Sequence, residues 1–278
     1  MRKRIITSLV AAALFLPVLY FSEHVVFALV IAACAVIATS EMLRCIGALH
    51  QWWISVPYLV LSALLPICAY YLDSAKVMYV GMFALSALVL YSFVIMTFSR
   101  GKADLSLVSR VFFTEFYIIA AFTSLCLLRY SVDVGKYVYL ICFIGAWATD
   151  IFAYFCGLLF GKRKLIPDIS PKKTVEGSIG GTLCCVGVVE LYGFVICRIS
   201  PDAIHADFLM LGISGLLIAA VAQVGDLLMS AIKRTYGVKD YGRLFPGHGG
   251  VLDRFDSVMA VSLVLCLITS LTDLFVVI

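Results

Sequence analysis

The chain has 278 residues, 63% of them hydrophobic and 14% charged, with a mean hydropathy of +1.06. Those values exclude an ordinary soluble domain and point to a chain whose main solvent is lipid. The formal net charge of +4 says little as a total, and no nucleic-acid partner is expected. The ten cysteines fall within or at the ends of apolar runs, without a C-x-x-C spacing, and read as small packing residues.

Crossing a hydrocarbon core of roughly 30 Å takes about twenty residues of helix. Runs of that kind recur at 5–21, 25–43, 52–71, 77–98, 111–128, 137–160, 178–197, 208–229 and 251–276. They are continuous rather than alternating, so helices and not a barrel satisfy their backbone groups. The expectation is an all-α, polytopic integral membrane protein of about nine transmembrane helices. The opening MRKRIITSLVAAALFLPVLYF resembles a signal peptide, but YFSEHVV offers no small-x-small cleavage site, and the segment reads as a retained first helix.

With the N-terminus in the cytoplasm, seventeen Lys and Arg residues fall on the cytoplasmic side. The other side receives four: Lys76, Arg129, Lys136 and Arg198. That asymmetry sets the orientation. Residues 1–130 read as a transmembrane scaffold of about five helices, and 131–278 as a transmembrane catalytic region with basic cytoplasmic loops at 161–177 and 230–250.

Four stretches of the second region carry the chemistry. CFIGAWATDIFAYFCGLLFGK holds Asp150 deep in an apolar run, and KRKLIPDISPKKTVEGSIGG follows it. AQVGDLLMSAIKR carries Asp226, Ser230, Lys233 and Arg234, and GHGGVLDRFDS carries Asp253 and Asp256 one turn apart. An acid inside a membrane helix is a functional-site hypothesis by default. Carboxylates without a Cys or His cluster select hard cations, and Mg²⁺ is commonly held by one or two of them together with substrate phosphate. The neighbouring Lys172, Lys173, Lys233, Arg234, Lys239 and Arg243 would repel a lone cation but suit a polyphosphate. Gly247, Gly249 and Gly250 precede a helix, where backbone amides form a natural anion site.

Plainer readings stand beside these. Lys162, Arg163 and Lys164 serve equally as topology determinants. Asp226 and Asp253 could be buried ion pairs with Arg254 or a neighbouring lysine. Asp150 is either a ligand or an acceptor in helix packing, and His248 either an acid–base group or a turn residue.

The stretch SAIKRTYGVKDYGRLFPGHGGVLDRFD resembles the signature of the phosphatidate cytidylyltransferases, or CDP-diacylglycerol synthases. The matching positions are Ser230, Lys233, Arg234, Lys239, Asp240, Gly242, Pro246, His248, Gly249, Gly250, Asp253, Arg254 and Asp256. SPKKTVEGSIGG and the Gly-Asp before LLMS are similar to the family too, so the motifs span about residues 145–260. The resemblance implies transfer of a cytidylyl group from CTP to phosphatidic acid, for phospholipid biosynthesis. It also implies a Mg²⁺ requirement, with K⁺ as a candidate second cation, and a homodimer. In that reaction Asp226 and Asp253 would hold metal, Asp256 metal or a group beside it, and Asp150 is a further candidate ligand. Lys233, Arg234 and His248 join Asp226 and Asp253 as catalytic candidates. Lys172, Lys173, Ser230, Lys239, Arg243, Gly249, Gly250 and Arg254 are substrate-binding candidates. The expected location is a bacterial inner membrane with the site facing the cytoplasm.

Other classes compete. An ion-coupled transporter would also use intramembrane acids, although no inverted repeat is visible. A polyprenol kinase or an ether-lipid synthase would use CTP differently, and a purely structural scaffold would leave the charged loops without a role.

Overall fold

The structure is a computed structural model that describes residues 13, 15–99, 101–132, 134–200, 204–245, 247 and 249–277. Among them, eight helices are long and apolar enough to cross a membrane, as expected of a multi-pass membrane protein. The first expected span, 5–21, lies mostly outside the described residues, and 15–20 are helical. The chain divides into two compact units.

The first unit comprises the described residues up to Leu127 together with Asp240–Arg254. It contains α1 (Val25–Ile46), α2 (Trp52–Tyr71), α3 (Ser74–Phe98) and most of α4 (Leu105–Tyr130). Gly47 ends α1 in the left-handed region, with φ of 86°, where glycine carries no Cβ penalty. Asp73 caps α3 by accepting from the Lys76 N–H at 2.9 Å. α3 buries only Val77, Ala84 and Leu88. Its exposed Phe83 and Phe98 form the apolar surface that a lipid solvent allows. α1 and α4 also bury two acids, Glu41 and Glu115.

The second unit comprises Leu128–Lys239 and Phe255–Ile278. Its elements are α5 (Gly135–Phe160), β1 (Lys164–Ile166), β2 (Ser170–Thr174), α6 (Val175–Ile199), β3 (Ile204–Ala206), α7 (Phe208–Thr235), most of α8 (Leu252–Leu271) and β4 (Phe275–Val277). α5, α6 and α7 pack against one another, and glycine makes the approach close. Gly177 lies against the Ala153 carbonyl, Gly181 against the Thr149 carbonyl, and Gly145 beneath Ile218. Small residues at such crossings let helix backbones gain dispersion contacts that lipid cannot supply. A Gly181→Leu variant is expected to force α5 and α6 apart and cost about 1–3 kcal/mol. A lowered thermal-unfolding midpoint in detergent would show it.

Two expectations change. The basic segment after α5, expected as a loop at 161–177, contains a hairpin, with β1 and β2 paired antiparallel, and it runs directly into α6. The last span stops at Leu271, short of 276. Phe275–Val277 instead pairs with Ile204–Ala206, because β-branched Val276 and Val277 suit an extended strand once Thr272 and Asp273 have broken the helix. Among the described residues the fold is thus helical with two short two-stranded sheets.

Candidate active site

The second unit gathers acids and bases around one cavity of about 600 Å³. α5 contributes Asp150, β2 contributes Lys172 and Lys173, α6 contributes Ser178, and α7 contributes Gln223 and Asp226. The hairpin is held at both ends. Thr174 caps α6 by accepting from the Gly177 N–H at 3.1 Å. Glu176, in the first turn, accepts from the backbone N–H groups of Lys162 at 3.0 Å and Arg163 at 3.2 Å. Arg234 Nε at the end of α7 donates to the Ile169 carbonyl at 3.4 Å, which ties the hairpin turn to that helix.

The closest charge contact is Lys173 Nζ to Asp226 Oδ2, at 2.6 Å, with the two side chains 24% and 26% exposed. Ser230, one turn on, donates to Asp226 Oδ1 at 3.3 Å. Ser257 in α8 donates to Asp150 Oδ2 at 3.1 Å and lies 3.5 Å from Asp256 Oδ1. Asp256 Oδ1 also accepts the Ser257 backbone N–H at 2.8 Å. The Asp150, Asp226 and Asp256 carboxylates are near enough for their charges to interact, and Lys233 lies within that field. Asp150 is exposed to the cavity.

Gln223 and Ser178 extend the polar lining. Ser178 Oγ donates to Gln223 Oε1, and Gln223 Nε2 donates to Thr182 Oγ1 and to the Ala219 carbonyl, both at 3.1 Å. A buried amide with these partners is fixed in one orientation. Sequence reasoning did not single out Ser178, Gln223 or Ser257. Their only signal is polarity within apolar runs, which helix packing also uses.

The signature from Asp240 to Arg254 belongs to the first unit. Gly249, at φ of 85°, lies against the Asp253 carboxylate, and the Phe245 N–H donates to the Gly249 carbonyl at 2.9 Å, closing a tight turn. Asp253 Oδ2 accepts from the backbone N–H groups of Tyr241 at 2.9 Å and Gly250 at 3.0 Å. Arg243 and Arg254 are exposed there, as Lys239 is in the second unit. His248 and Pro246 lie outside the described residues.

The comparisons decide the family. Residues 2–272 match the model of the cytidylyltransferase family. A phosphatidate cytidylyltransferase of Staphylococcus saprophyticus is 34% identical over 264 residues, covering 94% of this chain and 96% of the relative. Those of Staphylococcus epidermidis and Bacillus subtilis are each 32% identical, again over 94% of this chain, and cover 96% and 94% of themselves. The chain belongs to the cytidylyltransferase family. For a cytidylyltransferase the cavity has apt chemistry: lysines that can receive phosphate oxygens, and acids that can balance or bind cations.

Proposed function

We propose that this cytidylyltransferase moves the cytidylyl group of CTP onto phosphatidate, giving CDP-diacylglycerol and pyrophosphate, at the cytoplasmic face of the membrane. The observation that carries the reading is the Lys173–Asp226 pair at 2.6 Å in a cavity that also exposes Asp150 and Lys172. The names of the relatives supply the substrates.

A phosphate oxygen of the lipid attacks the α-phosphorus of CTP, the bond from that phosphorus to the bridging oxygen breaks, and pyrophosphate leaves with the electron pair. A monoester phosphate, with its second pKa near about 6, is largely dianionic at neutral pH, so no strong base is required. The protein must instead hold two anions in line and offset their charge. Lys172 and Lys173 suit the phosphates within the cavity, and Lys233 and Arg234 those approaching the end of α7.

The acids fit a hard divalent cation. Asp150, Asp226 and Asp256 offer only oxygen atoms, in the range that Mg²⁺ selects. Among the described residues no three His, Cys, Asp or Glu side chains converge on one point, so an ion held there would have to draw the rest of its shell from phosphate and water. Asp226 with Asp256 or Asp150 would hold it, and the signature adds Asp253 as a further candidate ligand. When bound, it would supply positive charge opposite the α-phosphoryl group and the departing pyrophosphate.

The test is purified protein in detergent with phosphatidate, α-labelled CTP and Mg²⁺. Label entering the lipid, with matching pyrophosphate release and loss on adding EDTA, is the expected result. Label entering lipid only from γ-labelled CTP would make the protein a kinase and overturn the reading. Within the same assay, Lys233→Ala is expected to raise the KM for CTP or phosphatidate by about tenfold. Unchanged values for both would remove Lys233 from the phosphate-binding set.

A further inference from the structure

α8 begins at Leu252, and the first N–H groups of a helix have no partner within it. The residue before it is Val251, whose side chain has no atom with which to cap. The missing acceptor comes from far away in the chain. Glu41 Oε1 accepts from the Val251 N–H at 3.1 Å and Oε2 from the Leu252 N–H at 3.0 Å, across 210 and 211 residues of sequence. Glu41 is 3% exposed, and a carboxylate at this end of a helix is also favoured by the aligned peptide dipoles.

The surrounding backbone is shaped to this carboxylate. A Cβ at Gly242 or at Gly250 would collide with it. Asp253 works alongside, taking the N–H groups of Tyr241 and Gly250. Two acids therefore satisfy a continuous run of amides from Gly250 to Leu252 and pin both ends of the glycine turn. From sequence, the glycines before this helix suggested an anion site for ligand phosphate; the amides of Gly250, Val251 and Leu252 instead donate to carboxylates of the chain itself.

We infer that Glu41 is a positioning residue for cytidylyl transfer: its carboxylate holds the glycine turn and the first turn of α8, which carries Asp253 and Arg254. The inference rests on the reaction proposed above. Glu41 is buried and both its oxygens are committed to backbone, so it acts through the turn rather than on substrate. A displacement of about 1 Å in such a turn can lower turnover about 100-fold.

The experiment compares wild type, Glu41→Gln and Glu41→Ala as full-length protein in detergent. It measures kcat, the KM for CTP and phosphatidate, thermal unfolding, and hydrogen exchange at residues 250–252. Glu41→Ala is expected to lose about 100-fold in kcat. Glu41→Gln keeps one oxygen acceptor and should recover part of that loss, about tenfold, while its unfolding midpoint falls less than that of Glu41→Ala, because one buried N–H rather than two loses its acceptor, and both KM values stay within about threefold. Exchange at Val251 and Leu252 should accelerate in both variants. If the wild type makes no labelled lipid, the reaction reading fails, while the exchange data still report whether Glu41 holds the turn. If the wild type is active and a folded variant keeps its kcat within about twofold and its exchange unchanged, the inference is overturned. Should Glu41→Ala fail to fold, Glu41→Gln decides. Loss of folded protein in both variants would make Glu41 a structural residue only and overturn the inference as well.

Discussion

Asp226→Asn is expected to lower turnover by about 1000-fold or more while leaving the protein folded and in the membrane. The amide has the shape of the acid and can still accept from Ser230, whose hydroxyl lies 3.3 Å from Asp226 Oδ1. What it loses is the negative charge 2.6 Å from Lys173 Nζ. With both side chains about one quarter exposed, cavity water offsets part of the loss, and the stability cost should be about 1–3 kcal/mol rather than that of a fully buried pair. Combining Asp226→Asn with Lys173→Met removes the stranded cation, and so should recover the unfolding midpoint without recovering turnover. Wild-type kcat in Asp226→Asn would dismiss the acid from the reaction. Recovery of turnover in the double variant would reduce the pair to a structural salt bridge.

The second large effect separates two roles of Asp253. Asp253→Asn keeps an oxygen that can accept the N–H groups of Tyr241 and Gly250, so the turn should persist while the charge disappears. Turnover is expected to fall about 1000-fold, with a near wild-type unfolding midpoint. Asp253→Ala leaves both buried N–H groups without that acceptor, which costs about 1–3 kcal/mol for each, so it should lose stability as well as activity. Activity assays and thermal unfolding run together read the difference. An active Asp253→Asn enzyme would show that the residue serves the turn alone and that no cation needs its charge.

Much of the architecture is legible because it is local. A run such as 208–229 announces a membrane helix by length and composition, and the structure has α7 over Phe208–Thr235. Short strands were not legible. SPKKT reads as a basic loop, and only pairing with Lys164–Ile166 makes it a strand that delivers Lys172 and Lys173 to the cavity. The scaffold reading of the N-terminal region passed over Glu41, because it sits at the end of an apolar run where an acid ordinarily meets water. Its burial depends on where residues 242–252 return.

Some of this protein was determined by sequence alone: helices solvated by lipid, and a signature of acids, bases and glycines belonging to cytidylyl transfer. Hydrophobic length and residue chemistry reside in consecutive residues, and need no partner to be read. The tertiary structure decided which acids share a cavity, that Lys173 faces Asp226, and that Glu41 caps α8. Helical periodicity says which residues share a face of one helix, but in lipid almost every face is apolar. Which faces meet is then settled by close packing at small residues and by the need of each buried N–H and carboxylate for a partner.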